Sequence, residues 1–347
     1  MSGHKTRKIS KNDLQQKENV FSLSQDMIEG ILNVANSEHS QEHVQENELI
    51  VNRYRIIKKL GEGGMGMVYQ VKDEHLDNQI VAIKVTIAEA GDSHTNTRFS
   101  REIEMMRQLQ HPNIMKVYDA GKHHSHLFYT MEYIEGKPFY EFLWQNFTIN
   151  KGVEIIIKVA QAVHFAHENS IVHRDLKPDN IMITNDLRPI LMDFGIAKIV
   201  ESHTQLTKSG FVMGTPFYMS PEQALGSEVD HLSDVYALGV ILYEFITGSL
   251  PFTGKSNKET LSAVVNDLPQ SPMAINLKVD ERLNDICLKA LSKNKKNRHV
   301  SAREFAMELE KYLHDNGTIN SDKRKWLLLT NVIILIILAL LVYYFTL

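Results

Sequence analysis

The sequence predicts an α+β fold of two unequal lobes, a small β-rich lobe followed by a larger helical one, with an apolar helix at the C-terminus. Three observations carry this reading. Short β-rich runs around a glycine-rich turn fill the stretch from Tyr54 to Tyr133. From Gly136 to Leu313 the apolar residues recur at helical spacing. Trp326 to Leu347 contains no charged residue at all.

The elements follow in order. Residues 1–52 are rich in Ser, Gln, Asn, Glu and Lys, a composition that predicts a mostly disordered N-terminal region. Within it, Ser22 with Gln25 fits a capping box, and Leu23, Met27, Ile28, Ile31 and Leu32 fall at helical spacing, so a short helix is expected there. Tyr54–Leu60, Met67–Val71 and Gln79–Val85 read as strands. Thr97–Leu109 reads as a helix closed by His111-Pro112. Two further strands are expected at Ile114–Tyr118 and Leu127–Tyr133, with His123, His124 and His126 in the turn between them. Val153–His167 and Ser233–Thr247 are the clearest helices of the second lobe. The folded domain is thus placed at 53–313, a polar and basic linker at 314–325, and the apolar segment at 326–347.

That last segment, about 22 residues rising 1.5 Å each, would span about 33 Å as a helix, enough for a hydrocarbon core. Lys323, Arg324 and Lys325 precede it, and Trp326, Tyr343 and Tyr344 sit at its ends as interfacial residues do. The expectation is a single-pass membrane protein with its folded domain on the cytoplasmic side and no extracellular sensor of its own. Composition narrows the rest. Hydrophobic residues make up 43% and charged residues 23% of the 347, as in ordinary globular chains. A net charge of -4 gives no reason to expect a nucleic-acid partner. A single cysteine, Cys287, excludes an internal disulfide and reads as a buried small hydrophobe.

The chemistry lies in fixed motifs. His173 to Asn180 reads HRDLKPDN, and Asp193 to Gly195 reads DFG. Phosphoryl transfer needs a carboxylate to orient a hydroxyl, a cation for the moving phosphate, and oxygen donors for magnesium. Asp175 and Lys177 are the catalytic candidates, and Asn180 and Asp193 the metal candidates. The segment Leu60, Gly61, Glu62, Gly63, Gly64, Met65, Gly66, Met67 and Val68 contains GxGxxGxV, in which glycines admit phosphate oxygens close to the backbone. A strand rather than a helix follows it, which separates it from a Rossmann turn. Lys84 ends the run Val81, Ala82, Ile83 and is placed to reach the phosphates of ATP. Of its two candidate glutamate partners, Glu102 is favoured over Glu104 because it shares a helical face with Met106 and Leu109.

With these motifs in order, residues 54–313 resemble the Hanks-type (eukaryotic-like) protein kinases, and the fold implied is the bilobal protein kinase fold. The lysine two places after Asp175, and GTPFYMSPE at Gly214–Glu222, resemble the serine/threonine branch. The resemblance implies ATP and Mg²⁺ as cofactors and protein Ser/Thr hydroxyls as acceptors. It also implies adenine contacts at Glu132 and Tyr133, a pocket floor at Met182, and Met131 as the residue guarding its back. Thr215 would bond Asp175 and Lys177, Glu222 would pair with Arg298, and Asp234 would brace the catalytic loop. Arg174 implies activation by phosphate on the 196–213 loop, with Thr207 and Ser209 the expected sites among Ser202, Thr204, Thr207 and Ser209. Membrane confinement favours encounters between copies, so self-association for phosphorylation in trans is expected. The layout resembles bacterial membrane-anchored kinases without their extracellular repeats. The alternatives are a membrane-tethered pseudokinase scaffold, which Lys84, Asp175 and Asp193 argue against, and a small-molecule kinase, which GTPFYMSPEQ argues against.

Overall fold

The computed structural model describes residues 49–63, 66–89, 93–124, 126–143, 147–194 and 216–315. The expected helix at 22–32, the phosphorylation loop with Thr207, Ser209 and Thr215, Gly64 and Met65, and the apolar segment 326–347 lie outside them. Among the described residues, no helix is long and apolar enough to cross a membrane.

The first lobe is an antiparallel sheet in the order β1-β2-β3-β4-β6-β5. Its strands are β1 (Leu49–Ile50), β2 (Tyr54–Gly63), β3 (Gly66–Asp73), β4 (Gln79–Glu89), β5 (Val117–His123) and β6 (His126–Glu132). β1 corrects the expected boundary at 52. Leu49 and Ile50 pair with Arg55 and Tyr54, and Ile50 is fully buried, so the last apolar pair of the polar stretch belongs to the sheet. The turn that joins β1 to β2 holds Val51 and Asn52 at φ 45° and 54°. Positive φ at both central residues is the hairpin geometry that matches strand twist.

β5 also begins later than expected. Ile114 is not in the sheet: it bridges to Leu191, and Met115 N–H donates to Leu191 O at 3.0 Å. Those backbone groups are taken by the second lobe, so the strand starts only at Val117. Between β4 and β5 runs α1 (Ser93–Arg107), which buries Phe99, Ile103 and Met106. Leu109, expected in this helix, lies past its end and is also buried.

The second lobe is helical, with a small sheet β7 (Gly136–Pro138), β8 (Ile181–Thr184) and β9 (Pro189–Leu191) at its entrance. After the short α2 (Phe139–Leu143) comes α3 (Ile149–Glu168), capped by the Thr148 hydroxyl accepting from Lys151 N–H. The short α4 (Pro221–Ala224) precedes α5 (His231–Thr247). α5 is buried on nearly every face, as expected of a helix with apolar residues all round. It ends at Gly248, whose φ of 71° is the left-handed cap that glycine adopts without strain. Helices α6 (Asn257–Asn266), α7 (Pro272–Ile275) and α8 (Glu281–Ala290) follow. The last, α9 (302–315), buries Ala302, Phe305, Ala306, Leu309 and Tyr312 at helical spacing and carries the domain two residues past the expected end at 313. Cys287 is fully buried on α8, its Sγ 3.7 Å from Gly239 O, and burial pushes its thiol up.

Candidate active site

The site forms where the two lobes meet. The catalytic loop leaves α3 and reaches the short 3₁₀ turn Pro178–Asn180 before β8. Its backbone is braced from below by Asp234 on α5, which is 1% exposed. Asp234 Oδ2 accepts from His173 N–H at 2.8 Å, and Oδ1 accepts from Arg174 N–H at 2.9 Å. His167 Nε2 donates to Oδ2 at 2.7 Å. Burial works to raise this carboxyl, but those donors hold it below the ordinary carboxylate range. Arg174 needs the support, because its φ of 64° is uncommon for a residue with a Cβ.

His173 links the two motif loops. Its Nε2 donates to Met192 O at 2.9 Å, and its Nδ1 accepts from Asp175 N–H at 3.4 Å. Burial lowers its basicity, and one donated plus one accepted bond suit a neutral imidazole. Its ring packs 4.7 Å from the buried ring of Phe194. Met192 N–H donates to Asn180 O at 2.8 Å, which sets Asn180 beside the strand end that carries Asp193.

Asp175, Lys177 and Asn180 meet as expected. Lys177 Nζ lies 3.0 Å from Asp175 Oδ2. Asn180 Nδ2 donates to Asp175 O at 2.8 Å and to Oδ2 at 3.2 Å, so its amide nitrogen faces Asp175 and its carbonyl oxygen is the acceptor end. Asp193 is held by two donors. Lys84 Nζ is 2.9 Å from its Oδ2, and the Tyr129 hydroxyl donates to its Oδ1 at 3.1 Å. Burial works to raise the Asp193 carboxyl; the charge and hydrogen bond of Lys84 and the Tyr129 bond hold it below the ordinary range.

One expected pairing is not formed in this arrangement. The ion pair of Lys84 among the described residues is with Asp193, not Glu102. Glu102 feels Arg174 instead: burial pushes its carboxyl up to about 7, and the Arg174 charge pulls only weakly against this. Glu104 is exposed and pairs with Arg107, as its outward position suggested.

The residues expected to meet a nucleotide line up along the sheet. Gly63 pairs with Gly66 across the loop, and Val68 pairs with Lys84. Gly66 has φ 145°, and a Cβ there would sit 2.1 Å from Val85 O, so this glycine is required by the close approach of β4. Leu60, Gly61 and Glu62 are exposed at the end of β2, and Met67 and Val68 are half-buried. Ala82 and Met131 are buried and paired across β4 and β6. Glu132 ends β6, its N–H bonded to Lys116 O at 2.9 Å, with Tyr133 next in the chain between the lobes. Met182 packs half-buried on the core from β8.

Two structural pairs complete the frame. Arg298 binds Glu222 through Nη1 and Nη2, each at 2.8 Å. Arg53 reaches both oxygens of Asp73, at 2.8 and 2.7 Å, and Asp119 at 3.0 Å. Sequence reasoning missed Arg53 and Tyr129, since neither stands in a motif.

The protein kinase domain family matches residues 54–309, and the chain belongs to that family. Within it, the chain is similar to bacterial serine/threonine kinases. It is 36% identical over 277 residues to a probable serine/threonine-protein kinase PknB of Lactococcus lactis, covering 77% of this chain and 43% of that protein. It is 39% identical over 266 residues to serine/threonine-protein kinase PknB of Mycobacterium tuberculosis, covering 74% of this chain and 42% of that protein. The crystal structure of the Mycobacterium tuberculosis PknI kinase domain superposes with a TM-score of 0.63 at 28% identity, covering 78% of this chain and 99% of that one. The chain thus spans about half the length of the curated relatives it matches, and the bilobal kinase fold expected of it is the fold observed. The scaffold alternative gains no support, since Lys84, Asp175 and Asp193 are all present and gathered in the cleft.

Proposed function

We propose that the chain is a serine/threonine protein kinase that transfers the γ-phosphate of ATP to protein Ser and Thr hydroxyls. The observation that carries this is the Asp175 carboxylate with Lys177 and Asn180 on it, in a loop tied through His173 to the Asp193 strand. Asp175 orients the acceptor hydroxyl and takes its proton as the oxygen bonds to the γ-phosphorus. The bond from that phosphorus to the β–γ bridging oxygen breaks, and ADP leaves. Lys177 offsets charge on the group in transit. Asp193 and the carbonyl oxygen of Asn180 would hold the metal; this oxygen-only donor set suits Mg²⁺. The metal, when bound, draws charge off the phosphate oxygens. Val68, Ala82 and Met182 enclose the adenine, with backbone groups of Glu132 and Tyr133 along its edge. For turnover Lys84 leaves Asp193 for the phosphates, and Glu102 moves in to hold it.

The anchor belongs to the same proposal. The uncharged 326–347 segment spans a bilayer once, and Lys323–Lys325 keep the kinase on the cytoplasmic side. Two copies confined there phosphorylate each other at Thr207 or Ser209. The full chain incubated with ATP and Mg²⁺ should gain phosphate on Ser or Thr, and Asp175→Asn should not. Release of the chain from membranes by alkaline carbonate would overturn the anchor.

A further inference from the structure

Tyr129 stands directly across from Lys84 in the β4–β6 ladder, so the two side chains leave the same face of the sheet. Its ring is 2% exposed and lies 6.4 Å from that of Phe99 on α1. The two neighbours divide one carboxylate: Lys84 takes Asp193 Oδ2 and Tyr129 takes Oδ1. Their bonds differ in what each donor could do instead. Lys84 carries three N–H donors on a flexible stem and can swing to a phosphate. Tyr129 has a single O–H on a rigid, enclosed ring. Parting from Asp193 would strand that hydroxyl in an enclosed site, where an unmade hydrogen bond is costly. The Lys84 bond is therefore the exchangeable one, and the Tyr129 bond the lasting one.

We infer that Tyr129 is a positioning residue that orients Asp193 as a metal ligand, holding Oδ1 while Oδ2, released by Lys84, turns to the divalent cation. This rests on the reading of Asp193 as a metal ligand given above. Asp193 has a φ of 50°, a left-handed backbone that needs outside support in a residue with a Cβ. A hydrogen bond on the far oxygen fixes the plane of the carboxylate, as partners behind a ligand commonly do.

The test is Tyr129→Phe, which keeps the ring and removes only the donor. The full chain in detergent micelles is saturated with a non-hydrolysable ATP analogue. Mn²⁺ is then titrated in, with the free ion followed by electron paramagnetic resonance. Adenosine affinity without metal is measured beside it. The expected result is Mn²⁺ binding weakened about 10-fold or more, with adenosine affinity unchanged. Equal Mn²⁺ affinity in the two proteins would reduce the bond to a packing detail and overturn the assignment. Tighter binding in the variant would overturn it as well, by making Tyr129 a competitor of the metal. Wild type that takes up the analogue but no Mn²⁺ would remove the metal role of Asp193 itself, a failure distinct from the other two. Should the Phe variant not accumulate, Tyr129→Met lacks the same hydroxyl and carries the same expectation.

Discussion

Arg298 holds Glu222 by two N–H···O bonds of 2.8 Å, a forked pair sealed between the first turn of α4 and the start of α5. Their side chains are 0% and 6% exposed, and Ser233 donates a further bond to Glu222 at 2.6 Å. Removing Arg298 would leave a buried carboxylate unpaired, so Arg298→Met should destabilise by about 3–5 kcal/mol in urea unfolding. The double variant with Glu222→Met should recover much of this, because a matched apolar pair replaces the matched ionic one. The pH dependence has a definite sign. Burial works to raise Glu222, but the bonds from Arg298 and Ser233 hold it at about 2, below its ordinary 4.5. Its contribution is therefore complete above pH 4.5 and fades as pH falls toward 2.

Asp234 should matter to rate more than to nucleotide binding. Its bonds to the His173 and Arg174 N–H groups set the loop that carries Asp175. Asp234→Asn turns one charged acceptor into a donor facing another donor, and each charge-assisted bond is worth about 1.5–3 kcal/mol. The variant should lose about 10-fold or more in kcat with ATP affinity unchanged. Wild-type kcat would contradict the bracing role.

Glu102 is costly to the fold in the arrangement observed. Its value of about 7 lies above the ordinary 4.5, so the folded protein binds that proton more tightly than the unfolded chain. Stability should fall as pH rises between those values and level off above 7. Glu102→Gln removes the charge, so it should raise the melting temperature at pH 8 and leave it unchanged at pH 4. The same change should lower kinase activity, since Lys84 loses its eventual partner. A variant that melts below wild type at pH 8 would contradict the placement of Glu102 away from Lys84.

Arg53 ties the first hairpin to the lobe. Asp73 is 2% exposed, and the Arg53 bond is the main reason its carboxyl sits below the usual range. Arg53 is partly open to water, which tempers the pair, so Arg53→Ala should cost about 1–3 kcal/mol. Arg53→Lys should restore only part of it, because an ammonium cannot grip both oxygens as the guanidinium does. Full stability in the alanine variant would show the clamp to be idle.

What the sequence disclosed was the chemistry with fixed spacing. HRDLKPDN puts Asp175, Lys177 and Asn180 on one turn whatever surrounds them, and the folded positions agree. Glu222 with Arg298, 76 residues apart, was legible only through the resemblance to the kinase family. Contacts that depend on the rotation of a helix were not: Glu102 lies on the inward face of α1, but a side-chain pattern does not say how close that face comes to β4. Tyr129 was hidden in a run of strand residues, since its meaning comes from the register that sets it against Lys84. Leu49 and Ile50 were lost in a polar stretch because a two-residue strand has no periodicity to detect.

The central claim is catalysis by Asp175, and phosphate mapping by mass spectrometry tests it most directly. The full chain and its Asp175→Asn variant, in matched lipid, are incubated with ATP and Mg²⁺. Wild type should carry new phosphate on Ser or Thr, with Thr207 or Ser209 among the sites. The variant should be slower by about 100-fold or more, the usual share of a proton-accepting group. Equal phosphate on the two proteins, or none on wild type with ATP bound, would contradict the account.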